Sequence, residues 1–127
     1  MNIAVNTRLL IKNRLEGIGT YTFETLARIT KMLPNYNFYF IFDRNYPGEF
    51  IFEKNIIPIV LRPSARHPIL WFIWFEILLP KVLKKIKADL FLSPEGMMPH
   101  KLKIPSITVI HDINFEYFPR DTKFFHS

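Results

Sequence analysis

Phe38-Tyr39-Phe40-Ile41-Phe42-Asp43-Arg44, written FYFIFDR, holds five apolar residues in a row and then turns abruptly to charge. A strand with one wet face alternates apolar and polar residues, because successive side chains point to opposite faces. No such alternation is present here, so both faces of this strand are expected to be covered. Continuous apolar strands of this kind belong to parallel sheets sandwiched between helices.

Helical patterns should then stand on either side of it in the chain, and they do. Upstream, Ile18, Thr22, Leu26, Ile29 and Leu33 recur at intervals of three and four, one face of a helix that Pro34 and Asn35 end. Before that helix, Asn2-Ile3-Ala4-Val5-Asn6 reads as a first strand, followed by a polar loop from Thr7 to Glu16. Downstream, Pro47-Gly48 marks a turn, and Ile56 to Leu61 reads as a third strand. Pro58 cannot donate to a ladder, which places that strand at an edge. A long helix is predicted from Ile69 to Lys87, with Phe72, Phe75, Leu79, Val82, Leu83 and Ile86 as its inner stripe and Trp71, Trp74 and Leu78 as a second one. Pro80 should kink or divide it. Asp89 to Ser93 is a fourth strand, and Ser106 to Ile110 a fifth. Strands and helices alternate, so the expected fold is α/β: a single Rossmann-like three-layer domain over residues 1–127, with a mostly parallel sheet.

Composition agrees with a packed domain. Of the 127 residues 49% are hydrophobic and 16% aromatic, including 13 Phe, which excludes a disordered chain. There is no cysteine, so disulfides, thiolate metal sites and cysteine nucleophiles are excluded. A cytoplasmic location, peripheral on the inner face of the membrane, is the expectation. The apolar run from Ile69 to Leu79 is too short to span a bilayer and contains Glu76. The net charge is +6, and six lysines between Lys81 and Lys103 face only two carboxylates, Asp89 and Glu95. Such a surface suits an anionic membrane, a phosphate-bearing ligand or nucleic acid, although a solvated outer face is the commoner explanation of such a run. The Trp71/Trp74 segment followed by these lysines reads either as an interfacial amphipathic helix or as a core helix with a basic outside.

Three loops follow strands at what should be one edge of the sheet, where open α/β sheets hold ligands. In the first, Gly17 and Gly19 stand where the helix begins. Glycine permits close backbone approach, and a helix start offers free N–H groups with partial positive charge, which together suit a phosphate. Arg8 in the same loop can add formal charge. In the second, Glu95-Gly96 follows the fourth strand, and Glu95 could bind hydroxyls. In the third, His111-Asp112 follows the fifth strand. Each has a structural alternative: an ordinary turn, an exposed loop glutamate, an aspartate that caps a turn. Tyr21 reads as a packing group. His67, His100 and His126 have no metal spacing, so no metal is expected.

Taken in order, Asn6-x-Arg8, GIGTYT (17–22), FIFDR (40–44), DLFLSP (89–94), IPSITVIHD (104–112) and the later Phe118-Pro119 resemble the N-terminal domain of retaining GT-B glycosyltransferases of family 4, mannosyltransferase-like members above all. The resemblance covers residues 1 to about 120. It departs from the usual family pattern at Asn6 and Thr20. What it implies is an acceptor-side domain that faces a second, donor-binding domain across a cleft. Gly17, Gly19 and Arg8 would approach the phosphates of a nucleotide-sugar donor. His111 would lie near the transferred sugar with Asp112 orienting that strand end. Glu95, Gly96 and Tyr21 would serve a sugar or lipid-linked acceptor. The nucleotide-sugar is a co-substrate, and no cofactor is expected. The C-terminal domain of that family has no counterpart in this sequence, so the chain is expected to be inactive alone.

Two other classes compete. A non-catalytic binding or assembly module could use the basic surface for membrane or nucleic acid. The interleaved cation and aromatic pattern of a single-strand binder is missing, as is a helix-turn-helix, so nucleic acid is not the expected partner. A receiver-type domain would place acidic residues after the first strand, where Asn6-Thr7-Arg8 stands.

Overall fold

The computed structural model describes residues 1–8, 10, 18–62, 67–94, 99 and 102–108. Its strands are β1 (Asn2–Asn6), β2 (Asn37–Phe42), β3 (Ile56–Val60), β4 (Leu90–Ser93) and β5 (Ser106–Thr108). They form one sheet in the order β3-β2-β1-β4-β5, and every neighbouring pair is parallel. The chain builds outward from β1 to β3, then returns past β1 to lay β4 on its other side. That reversal makes the domain Rossmann-like.

The two faces of β2 explain its composition. Phe38, Phe40 and Phe42 point to one side, where they pack with Ile3 and Val5 of β1 and with Leu26 of helix α1 (Ile18–Met32). Ile41 points to the other, with Ala4 and Phe91, against the helical segment between β3 and β4. All four residues from Phe40 back to Phe38 and on to Phe42, Tyr39 excepted, are 1% exposed or less. Full burial of each such side chain stabilises the fold by about 1.5–3 kcal/mol. Pro58 stands opposite Phe40 on β3, the edge strand of the described sheet, so its missing donor costs no ladder bond on the outer side. Asn55 closes the end of α1. Its side-chain amide donates to the carbonyls of Thr30, Leu33 and Tyr36 at 3.1, 3.0 and 3.1 Å.

The long second helix departs from a simple periodic reading. It consists of α2 (Pro68–Phe72), a wide π-helical stretch (Ile73–Leu78) and α3 (Leu79–Lys85). Pro80 supplies the reason, since its ring would clash with the carbonyl four residues back in a regular helix. Widening relieves this, and the Leu79 N–H bonds to Trp74 O, five residues back. The extra residue shifts the face. Trp74 and Phe75 both enter the core with Leu79 and Leu83, whereas Phe72, expected inside, is 48% exposed. The predicted helix is thus divided into three pieces of different winding, with Pro80 in the first turn of the last. A core helix with a lysine-rich outer face is the observed arrangement, because Lys81, Lys84 and Lys85 are all exposed. Among the described residues, no helix is long and apolar enough to cross a membrane.

Candidate functional site

Parallel strands bring every strand exit to one edge of the sheet. Between β1 and β4 the chain direction of the connections reverses, the point at which open α/β sheets form their ligand crevice. Asn6 and Ser93, the last residues of those two strands, meet at that point. Asn6 Nδ2 donates to Ser93 Oγ at 3.3 Å, and both residues are buried. Asn6 Oδ1 accepts the Arg8 N–H at 3.1 Å, an Asx turn that lifts the chain off the sheet. Thr7 is held between them by its N–H, which donates to Ile41 O at 3.0 Å. Its hydroxyl is buried and has no hydrogen-bond partner among the described residues.

Next to the crevice, over the β1–β2 seam, lies a charged cluster. Asp43, one residue beyond β2, has a side chain only 1% exposed. Arg44 grips it with two bonds, Nε to Oδ1 at 2.8 Å and Nη2 to Oδ2 at 3.2 Å. The hydrogen bond to Asp43 raises the Arg44 pKa, against the opposing effect of burial. Arg8 approaches the same carboxylate, Nε to Oδ2 at 3.7 Å. Its guanidinium also lies 5.3 Å from the Phe75 ring centre and 5.9 Å from that of Trp74. Trp74 is anchored in turn, its indole N–H donating to Leu61 O at 2.8 Å. The wide helical turn therefore sets two aromatic rings beside Arg8.

On the other face, a groove of about 330 Å³ runs along α1 from Tyr21 to Leu33, with Ile3, Leu90, Leu92, Pro94 and Ile107 among its walls. Tyr21 is 48% exposed there rather than packed away. Gly19 is buried in the first turn of α1, and that turn has no acidic residue to offset the helix dipole.

Of the residues singled out in the sequence, Arg8, Gly19 and Tyr21 thus border the carboxyl edge. Gly17, Glu95, Gly96, His111 and Asp112 lie outside the described residues. Strand order fixes only that β1 and β5, which lead to Gly17 and His111, exit on the same edge with β4 between them. The structure adds three residues that the sequence left unremarked as site groups: Asp43, Thr7 and Ser93. The one visible signal was a carboxylate placed directly after an apolar strand in FIFDR. No group of three or more metal-ligating side chains occurs among the described residues.

No protein-family model matches the chain, and no curated protein gives a significant match. Among solved structures, a dTDP-glucose 4,6-dehydratase (rfbB) from Bacillus anthracis str. Ames, in complex with NAD, shares 12% identity with a TM-score of 0.43. The alignment covers 76% of this chain and 27% of the dehydratase, so this chain matches about a quarter of that protein's length. What fixes the fold class is the strand order itself. The resemblance to family 4 glycosyltransferases stands on the sequence motifs alone.

Proposed function

We propose that this chain is the acceptor-side half of a glycosyltransferase that moves a hexose from a nucleotide-sugar to a lipid-linked or polysaccharide acceptor. The observation that carries the reading is the polar pair at the strand-order reversal, Asn6 to Ser93, with the buried Thr7 hydroxyl beside it. Ligands of open α/β sheets sit at that place. The start of α1, with Gly17 and Gly19, would take the donor's phosphates, and the helix dipole would stabilise the departing nucleoside diphosphate. Arg8 adds its charge from within the Asp43 cluster. His111 would face the transferred sugar, Asp112 would orient it, and Tyr21, Glu95 and Gly96 would line the acceptor side. No step in this scheme needs a metal.

The test is binding and turnover on the same preparation. Nucleoside diphosphate sugars should shift the amide resonances of Asn6, Gly19 and Ser93, while the chain alone transfers no sugar. Silence of those resonances toward every such donor would remove the donor site. Turnover at a normal enzymatic rate would refute the reading of this chain as a half-enzyme.

A second reading, a non-catalytic module on a membrane, has one specific observation in its favour. Ile69, Phe72 and Ile77 are 74%, 48% and 44% exposed on one helical segment, which continues into exposed Lys81, Lys84 and Lys85. Apolar side chains beside cations suit an anionic bilayer surface. Sedimentation with anionic and with neutral liposomes checks it; equal or absent binding to both excludes it. A nucleic-acid partner is checked by gel shift.

A further inference from the structure

At the opposite edge of the sheet from the crevice, α3 and the segment before β5 enclose a pocket of about 430 Å³. Its floor is apolar, built by Leu83, Ala88 and Ile104, and three exposed lysines, Lys84, Lys87 and Lys103, stand around it. The volume falls within the usual range for small-ligand sites. Lysines in the last turn of a helix have an ordinary explanation in the helix dipole. That explains Lys84. It does not explain Lys103, which comes from a different segment, and it does not explain Lys87.

Lys87 has φ of +55°, the one positive value for a non-glycine residue among the described residues. It occupies the left-handed position that closes α3: its N–H donates to Lys84 O at 3.2 Å, and the Ala88 N–H to Leu83 O at 3.0 Å. Glycine is the residue that suits this position, and a side chain there carries a strain of about 1 kcal/mol. A lysine in a glycine position, at the rim of an apolar pocket, with two further lysines around the same opening, points to use of its ammonium.

We infer that this pocket binds a single anionic phospholipid, with the phosphate among Lys84, Lys87 and Lys103 and the adjoining hydrocarbon on Leu83, Ala88 and Ile104. Free phosphate would leave the apolar floor unused, and a nucleic acid would meet no stacking surface there. The inference does not depend on sugar transfer. It shares its lipid chemistry with the membrane reading, from which it differs in needing one molecule rather than a bilayer.

The test uses the full 127-residue chain and short-chain lipids below their micelle concentration, followed by calorimetric titration. Short-chain phosphatidylglycerol should bind, short-chain phosphatidylcholine should bind far more weakly, and inorganic phosphate should not compete. K87G keeps the backbone turn, so it should fold and yet bind about fivefold more weakly, with a similar loss for K103Q. L102W, in the pocket wall, should block binding. I69S/F72S should lose liposome binding while keeping the single-lipid site, which separates the two ideas. Equal affinity for the two lipids, or unchanged binding in K87G, overturns the inference. So does absence of binding.

Discussion

Asn6 and Ser93 end strands that are 87 residues apart in sequence, and their side chains meet at 3.3 Å across the line where the strand order reverses. The bond closes the sheet beneath the crevice and holds Asn6 so that its oxygen can turn the chain at Arg8. Each of N6A and S93A is expected to lose about 1 kcal/mol of stability, since a buried side-chain hydrogen bond is removed. A double-mutant cycle in urea should give a coupling of about 0.5–1.5 kcal/mol. Strict additivity would show that the two side chains do not interact.

Asp43 is a buried carboxylate serving two arginines. D43N leaves Arg8, 15% exposed, facing a neutral amide among aromatic rings. Removing one member of such a buried set typically costs about 3–5 kcal/mol, and the partial exposure of Arg44 places the expected loss near the lower figure. Chemical denaturation of D43N measures it. Arg44 has a raised pKa, so its contribution is present at all pH values below its unfolded pKa and is lost only as pH rises through the folded one. That window lies above any pH of physiological interest, so the Arg44–Asp43 bond should show no loss at mildly alkaline pH. A fall in stability between neutral and mildly alkaline pH that D43N abolishes would contradict this.

The FYFIF run disclosed its two covered faces because burial on both sides leaves no polar alternation, and Pro58 disclosed its edge because a missing donor has few legal places. The wide turn was not readable in the same way. A period of 3.6 puts Phe72 inside, and only the meeting of Pro80 with the preceding carbonyl, and of Trp74 with Leu61, decides otherwise. Arg8 illustrates a similar limit. From the sequence it is a cation in a loop beside two glycines; its Asp43, Trp74 and Phe75 neighbours arrive from β2 and the second helix, and no local pattern announces them.

Thr7 carries a buried hydroxyl with no partner among the described residues, an arrangement that costs stability and recurs at functional sites. T7V keeps the shape and removes the orphan, so it should raise stability by about 1 kcal/mol. If the crevice takes a donor, the same variant should weaken nucleotide-sugar binding. Thermal unfolding and ligand titration on one sample give both values. A destabilised T7V would mean that the hydroxyl is already satisfied in the folded protein.

Trp74 joins three features: the wide helical turn, the Leu61 carbonyl and the Arg8 guanidinium. W74F keeps an aromatic surface but strips the indole N–H and leaves a void in a fully buried position. The unpaired carbonyl and the void together should cost about 2–4 kcal/mol. Far-ultraviolet circular dichroism in denaturant reads the loss, and a cost below 1 kcal/mol would mean that the helix has settled into a regular turn with another residue in the gap.

Lys87 offers a prediction of opposite sign. Its positive φ is a backbone strain, independent of whatever the ammonium touches, so relief should follow from the loss of the β-carbon alone. K87G is expected to stabilise the domain by about 1 kcal/mol, whereas K87A, which keeps the β-carbon, should give no comparable gain. Comparing the two separates strain from charge. Equal midpoints for both variants and the parent would show that the turn after α3 relaxes out of the left-handed region in solution, and with it would go the case that a lysine is held there against its conformational preference.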